Sequence, residues 1–75
     1  MKNSMKISFN SNIYKKSIIL LSIDEFDHLA EFKLKYKKDI FELNIDSIDD
    51  EYKDVIEGEF CNYVLSLMCK SNSSN

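Results

Sequence analysis

Seventy-five residues, 44% hydrophobic and 31% charged, suffice for one small folded domain and argue against intrinsic disorder. The formal charge of −3 argues against nucleic acid as the main ligand. The longest apolar run, Ile18–Leu21, is four residues and far short of a membrane span. No apolar stretch follows Met1–Ser4 to make a secretory signal, so the expected location is cytoplasmic.

Lys6-Ile7-Ser8-Phe9-Asn10 alternates with period two and predicts a short strand, and Asn10-Ser11-Asn12 is a turn signal. Ile13 and Tyr14 lead into a first helix. Ile18, Ile19, Ser22, Ile23, Phe26, Leu29 and Ala30 recur at helical spacing, and Leu20 and Leu21 broaden the apolar stripe. Residues 30–46 then form the clearest pattern in the chain. Ala30, Phe32, Leu34 and Tyr36 alternate with Glu31, Lys33, Lys35 and Lys37. After a polar turn at Lys37-Lys38-Asp39, Phe41, Leu43 and Ile45 alternate with Glu42, Asn44 and Asp46. This predicts a β-hairpin with one apolar and one charged face, which needs a cover to be stable in water.

Ser47 or Asp49 reads as the N-cap of a second helix running to about Met68, with Asp49, Asp50 and Glu51 placed where the helix dipole favours negative charge. Tyr52, Ile56, Phe60, Tyr63, Val64 and Leu67 form its buried stripe, with Val55 and Met68 alongside. Gly58 within it suggests close packing against a bulky neighbour. The ordered core spans about 5–69, and 70–75 reads as a frayed polar tail.

The expected architecture is therefore α+β, with order β-α-β-β-α and a three-stranded sheet packed on one face by two helices. This is a ferredoxin-like half-sandwich without its last strand. The third strand is expected between the first two, leaving the Lys6–Asn10 edge unpaired. An open edge invites an extended peptide or a second copy of the chain to add a strand.

Little reactive chemistry is visible. Cys61 and Cys69 are eight residues apart in one helix, roughly 12 Å, too far for a disulfide within it. Two Cys and the distant His28 do not make a zinc site. No nucleophile motif accompanies the Asp27–His28 pair. Glu57 and Glu59 diverge on their helix, and the acidic residues at 46–51 lack the spacing of a calcium hand. The aromatics Phe9, Phe32, Tyr36 and Phe41 read as core rather than as a base-stacking platform. The lysines at 33, 35, 37 and 38 form a solvated face that blunts aggregation or contacts an acidic partner. Asn62, in an apolar helix, either faces solvent or bonds a neighbouring backbone or a bound peptide.

Glu59-Phe60-Cys61-Asn62-Tyr63-Val64-Leu65 resembles the Glu-Phe-x-Asn-x-x-Leu signature of the HxsD-like family, the small D component of His-Xaa-Ser peptide-maturation systems. Ile13-Tyr14, Phe26 and the alternating strands at 30–36 and 40–45 fall where that family has similar features. The likeness spans about residues 5–67. Lys15-Lys16-Ser17 and Ser66-Leu67-Met68-Cys69-Lys70 depart from it, as in a divergent member.

The resemblance implies a non-enzymatic adaptor in maturation of a ribosomally made peptide. Such an adaptor binds the precursor peptide, a radical SAM maturase, or both. No cofactor is expected, and without a Cys-x3-Cys-x2-Cys motif the chain cannot hold the radical enzyme's iron–sulfur cluster in the usual way. The expected peptide or partner contacts are Lys6, Ile7, Ser8, Phe9, Asn10, Ile13, Tyr14 and Asn62. The competing expectations are a stand-alone precursor-recognition domain of winged-helix type and a small mobile-element protein that inhibits a host factor.

Overall fold

A computed structural model describes the backbone of residues 3–73 and the side chains of residues 3–70. The order is β1 (Asn3–Asn10), α1 (Lys16–Phe26), β2 (Glu31–Lys37), β3 (Ile40–Ile48) and α2 (Ile56–Ser73). The sheet order is β1-β3-β2, and β3 is antiparallel to both neighbours. The α+β fold and the central place of the third strand are as the hydrophobic pattern predicts.

Register follows from the period-two pattern, because a one-residue slip would turn every apolar side chain to water. Ile7 pairs with Leu43 and Phe9 with Phe41, while Phe32 pairs with Ile45 and Leu34 with Leu43. These residues share one face. Both helices cover it: Ile18 and Ile19 of α1, and Ile56, Phe60 and Val64 of α2, join the strand residues in one buried cluster. The opposite face carries Lys6, Ser8, Lys33, Lys35 and Lys37, all exposed. Phe60 is the centre of the core. It is fully buried, and its ring centroid lies 6.3 Å from Phe9, 5.5 Å from Phe26 and 5.6 Å from Phe32. The one buried polar side chain among the described residues, Ser22, returns its hydroxyl hydrogen to the Ile18 carbonyl at 2.9 Å.

The hairpin turn falls where the polar Lys37-Lys38-Asp39 signal places it. Ser47, the limits of α2 and the surroundings of Gly58 differ from the sequence-based expectation, and α1 ends at Phe26, short of the expected Leu29 and Ala30. Lys38 (φ 47°) and Asp39 (φ 67°) form a two-residue hairpin turn with both residues left-handed, as a type I′ turn requires. Ser47 is also left-handed, at φ 58°. It sits where β3 holds one more residue than β1 between the Met5–Ile45 and Asn3–Ile48 pairs. This bulge brings Ile48 back to the covered face, where strict alternation would have turned it out.

The second helix begins at Ile56, not at Ser47 or Asp49. Asp49–Val55 are consumed in turns: the Asp49 carbonyl accepts the Tyr52 amide, and the Tyr52 carbonyl accepts those of Val55 and Ile56. At its other end the helix passes Met68 and takes in the expected polar tail through Ser73. Positions 74 and 75 of that tail lie outside the described residues. Finally, Gly58 has no close neighbour. A Cβ there would meet nothing within 4 Å, so close packing does not explain it.

Candidate peptide-binding edge

β1 is one of two outer strands, and among the described residues its only strand partner is β3. Its far side therefore offers backbone N–H and C=O groups to a further strand. β2 is the other outer strand, and the two edges differ in charge. Asn3–Asn10 carries a single charged side chain, Lys6, which lies 3.7 Å from Glu42 on the neighbouring strand. Glu31–Lys37 carries Glu31, Lys33, Lys35 and Lys37 within seven residues. A lysine-rich edge repels basic strands and copies of itself, whereas β1 has no such guard.

The residues expected to contact a partner separate into distinct roles. Lys6, Ser8 and Asn10 are exposed on the open sheet face. Ile7 and Phe9 are buried under the helices, so only their backbone can serve a partner. Asn10 closes the strand. Its carbonyl accepts the amides of Ile13 (3.0 Å) and Tyr14 (2.9 Å), and its Oδ1 accepts that of Asn12 (2.8 Å). Those bonds fix the loop that carries Ile13, which is 61% exposed and follows the end of the strand by three residues. Tyr14 is half-buried, edge-on to Phe9 at 5.0 Å. It buttresses the strand rather than standing free.

Asn62 does not join this group. It is exposed on α2, about half a turn away from Phe60 and Val64, and so faces away from the sheet alongside Leu65 and Ser66.

No group of three or more His, Cys, Asp or Glu side chains among the described residues is placed to share a metal ion. His28 is exposed in the turn after α1. Both cysteines are free. Burial, and secondarily the charge of Glu57, push the Cys61 thiol above its ordinary value of 9.0, so it stays protonated at neutral pH and is a poor nucleophile. No described helix is long and apolar enough to cross a membrane.

One surface escaped the sequence reading. A groove of about 420 Å³ opens between α1 and β2, lined by Lys16, Leu20, Ile23, Leu34, Tyr36 and their neighbours. A second hollow of about 480 Å³ adjoins it, bounded by Ser11, Asn12 and Asp39 and sharing Lys16, Tyr36 and Phe41. The signal was present in Leu20, which lies outside the buried helical stripe, and in Tyr36, the last apolar residue of β2. Tyr36 is 60% exposed.

Comparison with protein-family models, with curated proteins and with solved structures gives no match.

Proposed function

We propose that this protein is a non-enzymatic peptide-binding adaptor that receives an extended segment by strand addition along β1. The observation that supports this reading is the contrast between the two sheet edges, one guarded by lysines and the other nearly free of charge. Main-chain hydrogen bonds to β1 supply affinity. Ile13 at the strand's end and Lys6 and Ser8 on the open face supply selectivity. The resemblance at Glu59–Leu65 assigns the peptide to a class: the precursor of a ribosomally made, radical-SAM-modified product handled in the cytoplasm. The exposed face of α2 around Asn62 and Leu65 then receives the maturase. A homodimer through β1 is the competing use of the same edge.

Tagged protein is recovered from its native host, co-purified peptides are identified by mass spectrometry, and oligomeric state is measured in parallel. Backbone hydrogen exchange is then compared with and without the recovered peptide. Recovery of a short precursor peptide, with new protection at residues 4–9, supports the proposal. Protection of those residues in a peptide-free dimer would replace it with self-assembly. Recovery of an unrelated host factor alone would replace it with the inhibitor reading.

A further inference from the structure

We propose that the groove between α1 and β2 is a second docking site. Its occupant is an extended segment of another protein in which large apolar residues alternate with Asp or Glu. The two sides of β2 define that pattern. Phe32, Leu34 and Tyr36 lie on the helix-covered face and line the groove with Leu20 and Ile23 of α1. Lys33, Lys35 and Lys37 lie on the opposite face of the same strand, exposed. A strand added to the outer edge of β2 places alternate side chains on alternate faces. Residues beside Leu34 and Tyr36 then enter the groove, and residues beside Lys33, Lys35 and Lys37 meet ammonium groups.

Charge selects this occupant. Lys15, Lys16, Lys33, Lys35, Lys37 and Lys38 are six of the ten cationic residues of an acidic protein, and none has an ion-pair partner among the described residues. Several occupy positions that local structure does not favour. Lys15 and Lys16 open a helix whose first turn has no acidic residue, where cations oppose the dipole. Lys38 is left-handed in the turn. A second copy of this chain is a poorer fit, since an antiparallel β2–β2 pair centred on Leu34 sets Lys33 against Lys35 on both sides of the centre, offset only by Glu31 against Lys37 at the ends, and β1 brings Lys6 rather than a carboxylate. A nucleic acid has phosphates for the lysines and bases to stack on Phe32, Tyr36 or Phe41, but nothing that fits the aliphatic side chains of Leu20, Ile23 and Leu34 between them, and the chain's net charge of −3 opposes it.

The probe is the synthetic peptide acetyl-Glu-Phe-Glu-Val-Glu-Phe-Glu-amide, titrated into isotope-labelled full-length protein and followed by amide chemical shifts. The controls are the same peptide with lysine for glutamate, an all-glutamate peptide of equal length, and a uridine oligonucleotide. Shifts concentrated at residues 31–37 and 16–23 are expected for the alternating peptide alone. Lys35→Glu should weaken its binding roughly tenfold, and Leu20→Ala should weaken it several-fold. Both residues are exposed, so the unbound spectra should report an intact fold. Equal binding of the all-glutamate peptide or the oligonucleotide, an unchanged affinity in Lys35→Glu, or no binding at millimolar peptide would each overturn the proposal. The precursor-binding reading is scored on β1, a different strand, so either site can fail without the other.

Discussion

Truncating Phe60 is the most demanding test of the packing described above. Its ring is fully buried and lies within 6.3 Å of three other phenylalanine rings, one from each of β1, α1 and β2. Phe→Ala at such a site costs about 3–5 kcal/mol. A domain of this size has only about 4–11 kcal/mol in total, at roughly 0.05–0.15 kcal/mol per residue. Phe60→Ala is therefore expected to remove roughly a quarter to all of that stability. Phe60→Leu keeps most of the volume but loses the edge-on and stacked ring contacts, and should cost about 1–2 kcal/mol. With a urea m-value of about 1 kcal/mol/M for a small protein, that moves the unfolding midpoint down by about 1–2 M at constant slope. Paired far-ultraviolet circular dichroism and tyrosine fluorescence titrations measure it. A midpoint for Phe60→Leu within about 0.3 M of the parent would refute the placement of Phe60 at the centre of the core.

Three further outcomes are expected. Gly58→Ala should raise stability by about 0.5–1 kcal/mol, because the added methyl meets open space and removes glycine's entropic penalty in a helix; a urea titration measures the gain. Lys15→Asp should add about 1 kcal/mol, also read by urea titration, by giving α1 the side-chain N-cap that Lys15 does not provide and a favourable charge at its N-terminus. Iodoacetamide at neutral pH should label exposed Cys69 well before half-buried Cys61. Because the Cys61 thiol is pushed upward, its labelling should still be accelerating as pH rises past 9.0, as followed by peptide mass mapping.

The pairing of β2 with β3 was legible in the sequence because alternation at 30–36 and 40–45 fixes which residues share the buried face and the short turn between them fixes how far the strands are offset. The left-handed residues were not. Lysine, aspartate and serine at 38, 39 and 47 carry no glycine signal, and tertiary packing of the hairpin and of Ile48 sets their conformation. The start of α2 was misread for a related reason. Asp49, Asp50 and Glu51 have the composition of a helix opening, but the Asp50 Oδ1 accepts the Asn3 side-chain amide at 2.8 Å, tying that segment to β1 instead. At the candidate site, the open edge followed from counting strands. The burial of Ile7 and Phe9 followed from the same alternation that placed Lys6 and Ser8 outside. The α1–β2 groove depends on how far α1 reaches over the end of β2, which no periodicity records.

The place of β3 in the middle of the sheet also sets an order of assembly. β2 and β3 meet across a two-residue turn, so their pairing costs little loop entropy, whereas β1 must find β3 across the whole of residues 11–39. β1 should therefore dock late during folding and detach early under mild denaturant, with amide exchange in residues 4–9 outpacing that in β3. Each detachment would uncover the edge of β3 that β1 had covered. A neighbouring molecule's β1 could occupy that vacancy as well as the chain's own, so the strand proposed to receive a peptide is also the one most prone to domain exchange at high protein concentration.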